Sequence, residues 1–150
     1  MKQRVVLVKK ILRIAELVEK QAIAEFAAAE RAVDEAVRAL AELRRESEAA
    51  EARLLSGQGL SGFEREMLWG HRVWFVQAER EALVEIGRLE ALAAVAKTAA
   101  DAARREARMR EKLRERVVTE YRTEYERKAN KELDEVGARR FGAPDVRRDS

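Results

Sequence analysis

At 150 residues, with 5% aromatic and 39% charged side chains, the chain has the length of one domain but too little bulk for a multilayer globular core. It contains no cysteine, which excludes a disulfide framework and a thiolate zinc site and is compatible with a reducing cytosol. The net charge of +3 is too small for whole-molecule charge to point to nucleic acid.

Val5-Val6-Leu7-Val8 is an apolar start, but Lys9, Lys10 and Arg13 interrupt it and no small-residue cleavage site follows, so it does not read as a signal peptide. No stretch approaches the ~20 apolar residues of a membrane span. The expectation is a soluble, cytoplasmic protein without direct membrane insertion.

A first helix is predicted over about 3–55. Its apolar series runs Val5, Val8, Leu12, Ala15, Glu19, Ala22, Phe26, Ala29, Val33, Ala36, Leu40, Leu43, Ser47, Ala50 and Leu54, at alternating steps of three and four. Only Glu19 and Ser47 break it, and a repeat of this period is the seam of a left-handed coiled coil. A second row, Leu7, Ile11, Ile14 and Val18, widens the face near the start, as a broad core or as a partner surface.

A hinge follows at 56–61. Ser56-Gly57-Gln58-Gly59-Leu60-Ser61-Gly62 holds three of the seven glycines, and each glycine weakens a helix interior by about 1 kcal/mol relative to alanine. Ser61 with Glu64 fits a capping box at a new helix start.

The second helix is predicted over about 62–136. Leu68, His71, Phe75, Ala78, Ala82, Glu85, Leu89, Leu92, Ala96, Ala99 and Ala103 continue the spacing. Folding about position 59 makes facing residue numbers sum to about 117 or 118. Leu54 then meets Phe63, Leu43 meets Phe75, Phe26 meets Leu92, Val5 meets Leu113, and Ser47 meets His71 as a hydrogen-bonding partner in a core layer. The predicted fold class is all-α: a long antiparallel two-helix coiled-coil hairpin over 1–137, its C-terminal helix overhanging from Val117 to Val136, roughly 30 Å. Gly137 reads as the stop, and 138–150 as a flexible tail.

On the overhang, Val118, Tyr121, Tyr125, Ala129, Leu133 and Val136 fall on one face with no facing helix, which points to a partner or to a second copy of the chain. Beside it, Lys2, Arg4, Lys9, Lys10 and Arg13 join Arg104, Arg105, Arg108, Arg110, Lys112, Arg114 and Arg116. Against these stand Glu106, Glu111 and Glu115. A solvated face would account for the charges; an acidic, partly apolar socket would account for charges and stripe together. Nucleic acid is disfavoured by the few aromatics there and the lack of a binding module. There is no phosphate-binding glycine loop, no nucleophile with a base in reach and no metal cluster, so the expectation is a non-enzyme without cofactors.

The segment Glu111-Lys112-Leu113-Arg114-Glu115-Arg116, then Tyr125-Glu126-Arg127-Lys128 and Leu133-Asp134-Glu135 with Arg139 and Arg140 following, resembles the stalk proteins of type III export, the flagellar FliJ family and its injectisome counterparts of the YscO type. His71-Arg72-Val73-Trp74-Phe75-Val76-Gln77 looks like that family's aromatic-plus-apolar stretch. The resemblance implies a stalk whose open end enters the hexameric export ATPase, contacted through Lys9, Lys10, Arg110, Arg114, Val118, Tyr121, Tyr125 and Leu133. It implies an export-gate membrane protein met through Trp74 and Phe75, binding of export chaperones, and a place at the inner-membrane export apparatus. Ala78 departs from the larger aliphatic usual in the family, and Trp69 and Trp74 also admit a packing role. The other readings are a self-associating structural coiled coil whose dimer buries the overhang, and a helical protein that binds nucleic acid.

Overall fold

The computed structural model describes residues 2–56 and 59–148, with side chains as far as residue 140. Two helices, α1 (Lys2–Ser56) and α2 (Gly62–Arg148), pack against each other as an all-α helical hairpin. Gly57 and Gln58, at the centre of the expected reversal, and residues 149 and 150 of the expected tail lie outside the described residues.

Ser61 forms its own half of the expected capping box. The Glu64 N–H donates to Ser61 Oγ at 3.1 Å, and the Arg65 N–H donates to the Ser61 carbonyl at 3.1 Å. Gly59, with φ of 74°, takes the left-handed conformation that side-chain-bearing residues avoid. Gly137 does not act as a stop: it keeps helical φ, and α2 runs on to Arg148 instead of ending near 136. One helical glycine weakens a helix by about 1 kcal/mol without ending it.

The chain divides into two packed halves, one of residues 19–102 and one of residues 1–18 with 103–150. In the 19–102 half, α1 buries its predicted seam. Glu19, Ala22, Phe26, Ala29, Val33, Ala36, Leu43, Ser47, Ala50 and Leu54 are all at least half-buried, and Leu40 is 5% exposed. The seam of α2 agrees as far as Ala82; beyond it Leu89 and Ala96 keep their expected places and the alternate positions move on by one residue. Ile86, Leu89, Ala93, Ala96 and Ala100 face inward, while Glu85, Leu92 and Ala99 are exposed. Two successive steps of four, Ala78 to Ala82 to Ile86, locally unwind the repeat. The shift puts an isoleucine into the seam and leaves Glu85 in solvent, where it accepts a 2.9 Å hydrogen bond from Arg88 Nε.

The register also differs from a symmetric fold about position 59. Arg44 pairs with Glu79 at 3.6 Å and Arg72 with Glu51 at 3.7 Å, so these numbers sum to 123. With the burial pattern, this places Leu54 level with Leu68, Ser47 with Phe75, Leu40 with Ala82 and Phe26 with Ala96. Phe63 is consequently 71% exposed and does not meet Leu54. The whole first turn of α2 is exposed, as expected when it starts beyond the end of α1. The Ser47–His71 hydrogen bond is absent as well: His71 Nε2 is buried without a partner, and its ring lies 5.5 Å from that of Trp74.

In the other half, Val8, Leu12 and Ala15 of α1 are buried, as are Ala103, Ala107 and Val117 of α2. Alanine lets backbones approach closely but removes little apolar area per layer, so many thin layers sum to the packing.

Candidate docking surface at the open end

The open end is built where α1 begins and α2 continues. Arg4 reaches Glu120 at 3.7 Å, numbers that sum to 124, so α1 covers more of α2 than a symmetric fold allows. Val117, expected to start the overhang, is fully buried at 0% exposure, and Val118 and Tyr121 are half-buried. The uncovered stripe therefore begins past Tyr121. Tyr125, Leu133 and Val136 on it are exposed, and Ala129 is half-buried. From Tyr121 to Arg148 is about 27 residues, roughly 40 Å of helix at 1.5 Å per residue.

The basic residues surround the covered part. Lys9, Arg13 and Arg114 line a shallow cleft with Leu12 and Glu16. Lys10 is exposed. Arg110 is half-buried and donates from Nε to Glu106 Oε1 at 2.8 Å, one helical turn away. An exposed pair of this kind stabilises by well under about 1 kcal/mol, so it leaves the guanidinium available to a partner. A further cleft is apolar: Ile11, Ile14, Ala15 and Val18 of α1 face Ala103 of α2, with Glu106 and Arg110 at its edge. Of the eight residues assigned to this surface by resemblance, the structure gathers Lys9, Lys10, Arg110, Arg114, Val118 and Tyr121 around the paired helices. It leaves Tyr125 and Leu133 on the unpaired stretch of α2.

The motifs at the open end do not include the rest of the charge distribution. Residues 1–18 with 103–150 hold 20 Lys and Arg against 12 Asp and Glu, a net +8; residues 19–102 hold 11 against 16, a net −5. These recover the totals of 31 and 28. Counting the two halves separately would have found this from the sequence.

Near the hinge, Trp74 is 56% exposed and Phe75 half-buried in the seam level with Ser47. Phe75 is therefore a packing residue, while Trp74 presents a surface. Trp69 is also exposed, with the Arg72 guanidinium 5.6 Å from its ring centroid, a cation–π contact. Among the described residues, no group of three or more acidic, histidine or cysteine side chains is placed to hold a metal ion, and no helix is long and apolar enough to cross a membrane.

No protein-family model, curated protein or solved structure matches the chain. The class that the fold defines is an all-α helical hairpin with one helix extending beyond its partner.

Proposed function

We propose that this chain is a non-catalytic central-stalk component of a type III protein export apparatus, docking in the hexameric export ATPase and linking it to the membrane export gate. The observation that supports this reading most is the open end. A net +8 half carries a long stretch of α2 whose apolar residues Tyr125, Leu133 and Val136 are exposed. An acidic socket with an apolar wall complements both features at once. The exposed Trp74 supplies a second contact suited to the gate, and binding of export chaperones belongs to the same reading. Its place would be cytoplasmic, against the inner-membrane export apparatus.

The test is binding of the purified full chain to the export ATPase from the same cell. Tyr125→Ser with Leu133→Ser should weaken binding at least tenfold and leave far-UV helicity unchanged, since both residues are exposed. Unchanged affinity would overturn the stalk assignment.

A further inference from the structure

In the half of residues 1–18 with 103–150, Val8, Leu12 and Ala15 are the buried seam of α1, and a second apolar row runs beside them. Leu7, Ile11, Ile14 and Val18 stand at steps of four, three and four, about 100° round the helix from the seam. Leu7 is 57% exposed, Ile14 62% and Val18 54%. The row is confined to this stretch, because Gln21 and Glu25 take the next two places at the same spacing. Two clefts carry it across to α2. Ile11, Ile14 and Val18 line one with Ala103, Glu106 and Arg110. Arg110 also lines the other, with Met109, Leu113, Lys112 and Arg116, and Met109 is 63% exposed.

This face is apolar along its middle and basic at both edges. Its acids, Glu106 and Glu120, are paired with Arg110 at 2.8 Å and with Arg4 at 3.7 Å. The next cleft along α2 adds one charge of each sign, Glu124 and Arg127. The surplus is Lys10 at the α1 edge with Arg105, Lys112 and Arg116 at the α2 edge, all exposed. Lys9, Arg13 and Glu16 line a separate cleft on the opposite side of α1 from the row and take no part. Exposed apolar surface of this extent marks an interaction site, and the occupant must be both anionic and broad. One docking helix is about 10–12 Å across, whereas the apolar middle and both basic edges extend over two helices side by side, roughly 20 Å. A plane of anionic headgroups meets that whole width. Apolar side chains enter the boundary between headgroups and acyl chains, while flexible Lys and Arg stems bend toward the phosphates. A second copy pairing through the same face would instead set Lys10, Arg105, Lys112 and Arg116 against their own kind.

We propose that this face docks on the surface of an anionic lipid bilayer, with Leu7, Ile11, Ile14 and Val18 in the headgroup boundary and Lys10, Arg105, Lys112 and Arg116 on lipid phosphates. The contact lies on the membrane and does not cross it. It does not rest on the stalk reading.

Co-flotation of the purified full chain with vesicles tests it. Vesicles of phosphatidylglycerol and phosphatidylcholine in about a 1:2 ratio should carry the chain at ~0.1 M salt, and vesicles of phosphatidylcholine alone should bind it at least tenfold more weakly. Ile14→Ser with Val18→Ser changes no charge and should weaken binding to the anionic vesicles at least tenfold. Lys112→Gln with Arg116→Gln should do the same. Lys9→Gln with Arg13→Gln removes equal charge from the opposite side and should change binding less than about threefold. All six positions are exposed, so far-UV helicity is retained in each variant. Equal binding to both kinds of vesicle, or to neither, overturns the proposal. So does binding untouched by Ile14→Ser with Val18→Ser, which would be adsorption by charge alone. A weight-average mass above 17.1 kDa in sedimentation equilibrium that the same pair returns to 17.1 kDa would give the face to a second copy and overturn it as well.

Discussion

The imidazole of His71 sits on the seam side of α2 with Nε2 shielded from solvent and no hydrogen-bond partner. Leaving such an atom unpaired costs about 1–3 kcal/mol, whereas an apolar group of similar size at the same place has nothing to leave unpaired. His71→Leu is therefore expected to raise Tm in thermal unfolding followed by circular dichroism, by an amount equivalent to about 1 kcal/mol. A lowered Tm would mean that the imidazole makes a favourable contact which the leucine loses. Ser47→Ala should leave Tm nearly unchanged, because Ser47 lies level with Phe75 and not with His71.

Between the helices, the decisive quantity is the offset at which they lie, and this can be trapped chemically. The natural chain has no cysteine, so an introduced pair has no competitor. Leu40→Cys with Ala82→Cys should cross-link rapidly under mild oxidation. Leu40→Cys with Ala78→Cys, the pair demanded by a symmetric fold about position 59, should cross-link slowly, its partners displaced by about four residues or ~6 Å along the axis. The reverse order of rates would restore the symmetric register. The seam of α1 was legible in its spacing, and even its polar members Glu19 and Ser47 are turned from solvent. The offset was not legible, because it depends on how far the connection after Ser56 carries the chain before Gly62, and no side-chain pattern encodes that distance. Past Ala82 the spacing of α2 placed Leu89, Ala96 and Ala103 correctly and misplaced Glu85, Leu92 and Ala99, for another reason. With alanine at 93, 94, 96, 99, 100, 102 and 103, two phases one residue apart are almost equally apolar, and the large side chains on either side decide between them.

For the molecule as a whole, the unpaired stripe was legible as a feature and misplaced in extent. In the half of residues 1–18 with 103–150, Arg4 reaches Glu120 and Val117 is buried. The uncovered apolar stripe of α2 therefore starts past Tyr121, and substitutions at Val117 or Val118 would report on packing as much as on a partner.

The separation of charge into a +8 and a −5 half also governs how the protein meets a charged support. An adsorbed molecule touches a resin with part of its surface, and at ~0.1 M salt the Debye length of roughly 10 Å lets each half act largely for itself. At pH 7 the protein should be retained both by a sulfonate cation exchanger and by a quaternary-amine anion exchanger, eluting later in salt from the former. A protein of net +3 with its charges evenly mixed would pass through the amine column, and so would this one if its halves were not charged as separate surfaces.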